Sequence, residues 1–577
     1  MKKLLIVLLA FCMLLGSFSS CMMMPMGNNN NVSSSSPKKN SSSKKNSSSK
    51  KNSSKEDEDD EDDDSSLDDE SEYTFQEVLS KQEGKTLKAD ETVTYDIDED
   101  ISAKNYIKLE YQTDVHLYGV YTYANAENPS QVVEEEFFIE AGTSVFKQFL
   151  DSYRKNAIGA FDKILKKISL TNKSGTAGEI TLASVAVSDR SIPEMERELY
   201  VVKDGLKVGA DLAAGGALTY LGREYYQTKD GKRETIDEVI DKDNNVYIGV
   251  GLKKEDYTTL LSSSVNLINI YDLGREFQQS YYAEVGGGTD NPNGANGYTR
   301  GFCDTTGKGY YWPYNPVQAG DCAHNPSQII DYEITESLIW IKVRPMDWSK
   351  GDTGRGFPNT LVGGETTKSY MENRYIINNG VVFVENSFID WNGFYDLEST
   401  IPCTNELPAA YIVHPLRNYV CYTKDRPWIN DKLDVNSDLG FWENAHFDIT
   451  HPEDWFAWVN DEMFGVGVYA PNMGTFASGS LFDSSNVNGT GNSGAQDSPY
   501  ITSLLGNKAK PTSTYTSCYV GNTNYTAPFK HWRLKEYEKR SYEYAISVDY
   551  VYVMRAQFKE ICDSGKLTNA SMDTWCD

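Results

Sequence analysis

The sequence predicts an all-β protein with two folded units, and two runs of alternating side chains carry this prediction. Between Tyr106 and Tyr123 apolar or aromatic side chains recur at every second position, as in strands that bury one face. The same alternation runs from Tyr542 to Tyr552 near the end of the chain. Aromatic residues are 12% of the chain, with 38 tyrosines and 10 tryptophans, and such residues favour half-buried sheets.

Residues 1–20 predict a signal peptide, because Lys2 and Lys3 precede an apolar run that is too short to span a bilayer. The segment Phe-Ser-Ser-Cys that ends at Cys21 resembles the lipobox of bacterial lipoproteins. That resemblance implies cleavage before Cys21, diacylglyceryl transfer to its thiol, and attachment to the cell envelope. Because Met22 and not aspartate follows the cysteine, the resemblance favours the outer membrane or cell surface. Ordinary secretion is the alternative.

Residues 21–73 predict a lipidated cysteine followed by a disordered linker. The linker has an asparagine run, repeats of Lys-Lys-Asn-Ser-Ser, and an acidic block at 56–72. Such a composition buries too little apolar surface to fold, so we expect a solvated spacer that holds the folded part away from the membrane.

Net charge limits the partners. The formal charge of −29 repels phosphate backbones and disfavours nucleic acid as a partner. It equally disfavours a polyanionic polysaccharide. The sequence has no phosphate-binding loop, nucleophile elbow or dinucleotide fingerprint.

Nine cysteines occur in a chain that we expect to be exported, where disulfides are stable. Short intervals favour three local bridges, although spacing alone does not fix the pairing. The candidates, in the order in which they bracket loops, are Cys303 with Cys322, Cys403 with Cys421, and Cys562 with Cys576.

Residues 74–196 predict a β-sandwich of short strands separated by polar turns. Strand-like segments follow at 136–140, 167–171 and 180–187, and only 144–153 has a helical pattern. The segment 134–140 resembles the jelly-roll domains that accompany carbohydrate-active catalytic domains. The resemblance leaves two roles open for this unit, a structural spacer and a carbohydrate-binding module.

Residues 197–577 predict one large antiparallel sandwich, rich in glycine, tyrosine, tryptophan and asparagine. Ordered motifs run through it, including Gly-Gly-Ala-Leu-Thr-Tyr-Leu at 215–221 and Asn-Pro-Val-Gln-Ala-Gly-Asp at 315–321. Further motifs lie at 266–275, 278–282, 325–328, 406–409, 426–428, 453–455 and 465–469. Together they resemble a family of mostly uncharacterised secreted bacterial proteins, similar in layout to galactose-mutarotase-like super-β-sandwiches. The resemblance implies a carbohydrate-related role.

Carboxylates next to unusual residues are the candidates for chemistry. Hydrolysis of a glycosidic bond needs one carboxylic acid and a second carboxylate. Glu406 precedes Leu-Pro at an expected strand end, and Glu453 lies beside Trp455, whose ring would shield the carboxyl from water. Asp390, next to Trp391, is a third candidate. We therefore expect Glu406 and Glu453 to be the acid and the base or nucleophile.

Polar and aromatic residues from several segments are candidates for binding sugar hydroxyls and stacking on a pyranose ring. They are Asp272, Arg275, Gln278, Gln279, Tyr282, Asn315, Gln318, Asp321, Trp391, Trp428 and Trp455. The alternative for the residues around 272–282 is a polar network that orients a buried strand.

The sequence therefore predicts a membrane-anchored lipoprotein that hydrolyses a neutral glycan. Two alternatives stay open, a non-catalytic glycan-binding lipoprotein and a polysaccharide lyase or sugar epimerase. No cofactor or catalytic metal is expected, since the six histidines lack zinc-site spacing, while an acidic loop leaves room for a structural calcium ion. The sequence does not predict the oligomeric state.

Overall fold

A computed structural model describes the chain from Tyr73 to Asn569 with gaps. The described residues are 73–150, 162–192, 197–223, 225–228, 233–235, 239–240, 246–248, 252–253, 257–259, 266–270, 276–281, 283–286, 301–303, 309–321, 325–347, 366–391, 400–401, 403–413, 416, 418–437, 446–449, 451–472, 476–480, 523–532 and 536–569. Strands dominate these residues, so the predicted all-β class is confirmed.

The first unit is an antiparallel β-sandwich. Its strands are β1 (Gln76–Leu79), β2 (Lys85–Leu87), β3 (Thr92–Asp100), β4 (Tyr106–Thr113), β5 (Leu117–Asn125), β6 (Val132–Ile139), β7 (Val145–Phe149), β8 (Lys163–Asn172) and β9 (Gly178–Ser188). One sheet has the order β1-β9-β4-β7, with β2 also paired to β9, and the other has the order β3-β8-β5-β6. The alternation that predicted β4 and β5 places their apolar side chains between the two sheets.

One prediction for this unit is wrong. Residues 145–149 form strand β7 and not part of a helix, because all five pair with residues 106–110 of β4. Phe146 and Phe149 are buried there by tertiary packing, which overrides the local helical pattern.

The second unit begins with small sheets. Its first strands are β10 (Glu198–Lys203), β11 (Leu206–Asp211), β12 (Ala217–Arg223), β13 (Tyr225–Thr228), β14 (Arg233–Thr235), β15 (Val239–Ile240), β16 (Val246–Ile248), β17 (Leu252–Lys253) and β18 (Tyr257–Thr259). A short 3₁₀ helix, Leu212–Ala214, joins β11 to β12. The three sheets have the orders β10-β11-β12, β14-β13-β18 and β15-β16-β17.

Two large sheets follow. The remaining strands are β19 (Gln278–Ser280), β20 (Ala283–Gly286), β21 (Gly301–Cys303), β22 (Gly309–Tyr314), β23 (Pro316–Val317), β24 (Gln328–Ile334), β25 (Leu338–Arg344), β26 (Met346–Asp347), β27 (Ser369–Asn378), β28 (Val381–Asp390), β29 (Thr400–Ile401), β30 (Cys403–Val413), β31 (Asn418–Cys421), β32 (Asp434–Asn436), β33 (His446–Ile449), β34 (Trp455–Val459), β35 (Phe464–Tyr469), β36 (Phe476–Ser480), β37 (Thr523–Trp532) and β38 (Arg540–Tyr550). The nine-stranded sheet has the order β24-β25-β27-β28-β38-β35-β34-β31-β32. The seven-stranded sheet has the order β26-β23-β19-β30-β37-β36-β33, and β21-β22-β20-β29 form a further sheet.

The main core lies between the nine-stranded and seven-stranded sheets. Val384, Val466 and Ile546 enter it from the first sheet, and Phe277 and Ile412 from the side of the second. The predicted large antiparallel sandwich is therefore confirmed.

Among the described residues, strand β38 is followed by an α-helix that the sequence analysis did not predict, α1 (Val551–Ser564). The expected strand through Tyr552 stops at Tyr550, because the apolar spacing changes there from two residues to three and four. Among the described residues, no helix is long and apolar enough to cross a membrane.

Candidate functional site

The candidate site is the face of the seven-stranded sheet that points away from the main core, which we call the outer face. On β30, Leu407, Ala410 and Ile412 all point into the core, although strict alternation forbids that combination. One extra residue between Glu406 and Ala410 forms a β-bulge, which shifts the alternation by one position, so that residues on both sides of the bulge point into the core. The bulge therefore lets Glu406 and Tyr411 both lie on the outer face.

Glu406 is the carboxylate of this face. It is buried, with 6% of its surface exposed, and the hydroxyl of Tyr525 donates a hydrogen bond to Oε1 at 2.5 Å. Tyr525 lies on the adjacent strand β37, directly opposite Tyr411, and the two ring centres are 4.8 Å apart. On the other side of β30, Ser280 of β19 is the register partner of Glu406. A carboxylate fixed in this way can donate or accept a proton at a defined position.

Two of the predicted binding residues, Gln279 and Gln318, fasten strands together inside the sandwich. The side chain of Gln279 bonds Asn373 Oδ1 and the carbonyl of Glu372, both on β27, at 2.8 Å each. Gln318 Oε1 accepts from the N–H of Gln279 at 3.0 Å, and its Nε2 donates to the carbonyl of Gly215 at 3.2 Å. These two amides therefore connect β19, β27 and the turn at Gly215 in one buried polar network.

Gly215 shows why the glycine motif and the Asn-Pro-Val-Gln motif belong together. Its φ is +58°, and a Cβ there would lie 1.9 Å from the carbonyl oxygen of Gln318. Only glycine permits this close approach. Motifs that are about 100 residues apart in the chain thus meet at one junction.

Three other predicted binding residues lie beside that junction. Gln278 Oε1 accepts from the N–H of Ala319 at 3.1 Å. Asn315 is buried, and its N–H donates to Asp347 Oδ1 at 3.3 Å. Asp321 accepts three hydrogen bonds from Asn325, between 2.8 and 3.1 Å.

Glu453 does not belong to the seven-stranded sheet. It is buried under helix α1, at the centre of a hydrogen-bond network that we call the hub. Its carboxylate accepts from Trp455 Nε1 at 2.7 Å and from the N–H of Trp428 at 2.5 Å. Arg555 of α1 adds two hydrogen bonds, at 2.9 and 2.5 Å. Trp428 has a φ of +63°, a conformation that is rare for any residue other than glycine. The network holds this turn and the helix together.

The electrostatics of this hub are those of a stable ion pair. The carboxylate of Glu453 holds the pKa of Arg555 above its ordinary value, mainly through their hydrogen bonds. The described hydrogen-bond partners of Glu453 are Trp428, Trp455 and Arg555.

Asp390 and Trp391 lie at the end of β28, next to the first unit. Asp390 is fully buried, and its carbonyl accepts from the N–H of Tyr537 at 2.7 Å. The ring of Trp391 stacks on Phe138 of the first unit at 5.3 Å and contacts Tyr370 at 4.5 Å. Trp391 therefore packs in a core between the two units.

The remaining predicted site residues lie outside the described residues. They are Asp272, Arg275 and Tyr282, together with Cys21 and the cysteines at 322 and 576. Only the backbone is described at Cys303 and Cys403.

Cys421 and Cys562 have free thiols, and the side chains of their expected partners, Cys403 and Cys576, lie outside the described residues, so the predicted bridges are not shown. Cys421 points into the main core, where burial raises the pKa of its thiol to about 12. Cys562 lies on α1 and packs against a second apolar cluster under the helix. Both side chains pack in apolar clusters.

Sequence reasoning missed Tyr525, Tyr411 and Arg555. The sequence did hold a signal for Tyr525. It stands between Asn524 and Thr526 in a strand-like segment, and neighbouring side chains of a strand point to opposite faces of the sheet. For Arg555 no signal existed, since its partner is 102 residues away in the chain.

Fold and site define an all-β protein in which two antiparallel sandwiches pack together, with a buried carboxylate on the outer face of the larger one. No protein-family model and no curated protein sequence matches the chain. Among solved structures, it is similar to an α-mannosidase from Enterococcus faecalis V583, with 9% identity and a TM-score of 0.26, over 81% of this chain and 46% of that one. A galactose mutarotase-like protein from Lactobacillus casei ATCC 334 has 9% identity and a TM-score of 0.24, over 61% and 99%. A putative aldose 1-epimerase from Escherichia coli K12 has 9% identity and a TM-score of 0.21, over 61% and 99%. Similarity at this level assigns neither family nor activity.

Proposed function

We propose that this protein acts on a neutral glycan at the outer face of the seven-stranded sheet, with Glu406 as the proton-transferring group. The observation that carries the proposal is the buried Glu406 carboxylate, fixed by Tyr525 and flanked by Tyr411. A carboxylate that a neighbouring hydroxyl holds in one orientation, largely shielded from water, is suited to transfer a proton. The resemblance of the sequence motifs to galactose-mutarotase-like proteins supports the same class of substrate.

Hydrolysis is the reaction that we propose first. In it Glu406 protonates the leaving glycosidic oxygen, while a second carboxylate acts as nucleophile or activates water. Glu453 is a poor choice for the second role, because Arg555 already neutralises it.

Non-catalytic glycan binding is the second candidate, and the Glu453–Arg555 ion pair favours it. In that pair Arg555 neutralises Glu453, which is one of the two carboxylates that the sequence analysis predicted to catalyse hydrolysis. A binding protein would use the outer face without any proton transfer.

Reducing-end release from a panel of neutral glycans tests the proposal, with Glu406→Gln as the variant and Glu453→Gln as the matched control. Glu406→Gln is expected to lower kcat by about 100-fold or more, the usual contribution of a general acid. Glu453→Gln is expected to keep the turnover of the folded protein but lower its free energy of unfolding by about 3 to 5 kcal/mol, because it breaks a buried ion pair.

Each outcome decides between the candidates. Wild-type turnover in Glu406→Gln would overturn the assignment of Glu406. Glycan binding by calorimetry without turnover would establish the binding candidate, and neither binding nor turnover across the panel would reject the proposed function.

We further propose that Cys21 carries a lipid that anchors the chain to the bacterial envelope. The lipobox-like segment and the polar linker support this. Cys21→Ser should move the protein from the membrane fraction to the soluble fraction, whereas Cys518→Ser should not. Retention of Cys21→Ser in the membrane fraction would contradict the lipid anchor.

The proposed chemistry uses carboxylates alone and requires no cofactor. We therefore expect EDTA to leave turnover unchanged. A fall in melting temperature in EDTA would reveal the structural calcium site for which the sequence leaves room.

A further inference from the structure

We propose that Tyr525 is a positioning residue that fixes the carboxylate of Glu406 for proton transfer. This inference rests on the proposed function, in which Glu406 is the group that transfers the proton. The sequence analysis did not name Tyr525, and its role follows from the packing around β37.

The contact itself is direct. The hydroxyl of Tyr525 donates to Oε1 of Glu406 at 2.5 Å, and both side chains are buried. The ring of Tyr525 meets the ring of Tyr411 at 4.8 Å and an angle of 46°. Because Tyr411 occupies one side of the ring, the hydroxyl is held towards Glu406.

Strand β37 is anchored on both sides of Tyr525. Asn524 and Thr526 point the opposite way, into the sandwich. Asn524 Nδ2 donates to the carbonyls of Val413 and Leu416 at 3.2 and 3.0 Å. Thr526 Oγ1 accepts from Trp458 Nε1 at 2.8 Å. The backbone that carries Tyr525 is therefore fixed by two buried side chains of the inner face.

Strand β30 is fixed in a matching way. Leu407, directly after Glu406, is fully buried in the main core. The bulge that follows turns Tyr411 to the same face as Glu406. Both partners of the hydrogen bond thus stand on backbones that the core holds in place, which is what preorganisation of a catalytic group requires.

The hydrogen bond has two chemical consequences. It orients the carboxylate, so that its loss should lower kcat more than it raises KM. It also favours the ionised carboxylate, because a donated hydrogen bond stabilises that form. Removal of the hydroxyl should therefore shift the limb of the pH–rate profile that belongs to Glu406 to higher pH.

Tyr525→Phe tests this, with kcat, KM, the pH–rate profile and the melting temperature as readouts. We expect kcat to fall by about 10- to 100-fold, the range for a hydrogen bond to a charged group. We expect KM to change by less than about threefold and the limb of the pH–rate profile that belongs to Glu406 to move to higher pH.

Tyr375→Phe is the matched control. Tyr375 is a buried tyrosine of β27 whose hydroxyl donates to the carbonyl of Gly216 at 3.2 Å. The Tyr375→Phe variant should lose stability as Tyr525→Phe does, but it should keep the wild-type pH–rate profile and kcat. An equal change in both variants would show that the role of Tyr525 is merely structural, and would overturn the inference.

Thr526→Val tests the same idea with the hydroxyl of Tyr525 retained. It removes the bond from Trp458 at nearly constant side-chain volume, and we expect a several-fold loss in kcat at unchanged KM. Wild-type kcat and pH profile in both Tyr525→Phe and Thr526→Val would overturn the inference. If Glu406→Gln also had wild-type kcat, the proposed function itself would fail, so the two failures are distinguishable.

Discussion

At the scale of single residues, burial changes the chemistry of several acids that look ordinary in the sequence. Asp211 is an example. It lies at the end of β11, and its Oδ1 accepts from the N–H of Ala213 at 2.7 Å, capping the 3₁₀ helix. Burial raises the pKa of its carboxyl to about 7, and Glu198, its register partner on β10, adds to the shift.

The raised pKa of Asp211 predicts a pH-dependent stability. The folded protein keeps the proton up to about pH 7, whereas the unfolded chain releases it near 3.8. The free energy of unfolding should therefore fall as the pH rises from about 4 to about 7 and stay low above that.

Asp211→Asn checks this, since the asparagine oxygen can still accept from Ala213. We expect the variant to match the wild type at pH 4 and to be the more stable protein at pH 8, measured by urea unfolding. Asp189→Asn, at an exposed position, is the control and should leave the free energy of unfolding unchanged at both pH values. A variant that is less stable than the wild type at pH 8 would contradict the prediction.

At the scale of elements, helix α1 seals the face of the nine-stranded sheet that points away from the main core. Met554 and Phe558 pack on Gly467 of β35, where a Cβ would lie 2.9 Å from Met554 Sδ. The ring of Phe558 also lies 5.9 Å from that of Tyr469 and 6.1 Å from that of Trp455. The helix thus covers the hub in which Glu453 is bound.

Phe558→Ala should lower the free energy of unfolding by about 3 to 5 kcal/mol, because it leaves a cavity in a packed cluster. Glu560→Ala, at an exposed position of the same helix, should change it by less than about 0.5 kcal/mol. Urea unfolding measures both. Equal effects of the two variants would show that α1 is not packed as described.

At the scale of the whole molecule, the two units share their cores. Ile330, Tyr370, Ile389 and Trp391 of the second unit pack in the core of the first. The hydroxyl of Tyr370 accepts from the N–H of Phe138 at 3.2 Å. Such contacts are those of one body and not of a module on a flexible tether.

Arg190, which follows strand β9 in the first unit, contacts side chains of both units. Its guanidinium carbon lies 4.7 to 5.1 Å from the ring centres of four aromatic side chains, Tyr73, Tyr106, Phe149 and Tyr332. Nη1 pairs with Asp331 at 2.8 Å. The first three rings belong to the first unit, and Tyr332 and Asp331 to the second.

Calorimetry should therefore show one unfolding transition for the wild type. Arg190→Ala should lower the free energy of unfolding by about 3 to 5 kcal/mol, as expected when a buried ion pair loses one partner. Lys166→Ala removes an exposed ion pair with Asp98 and should cost less than about 1 kcal/mol. Two separate transitions in the wild type would show that the units fold independently.

Local patterns in the sequence predicted much of the architecture. Alternation found strands β4, β5 and β38, because a half-buried strand imposes its period on the residues themselves. Alternation could not show that the apolar spacing in β30 is broken by a bulge, since that depends on what β19 and β37 place beside it.

The candidate site was predicted in part. Glu406 was named, and the structure places it on a defined face beside Tyr525. Its roles and those of Gln278, Asn315 and Asp321 in chemistry or binding stay predictions. Glu453 looked equally suited beside Trp455, and nothing local indicated that Arg555 from the last helix would pair with it.

By itself the sequence determined the all-β class, the acidic character and the most regularly alternating strands, because these depend on residue types and their local period. Only the tertiary structure decided which carboxylate is neutralised by an arginine and which stands beside a tyrosine hydroxyl. Those partners are 102 and 119 residues apart in the chain, and only the order of strands in the sheets brings them within hydrogen-bonding distance.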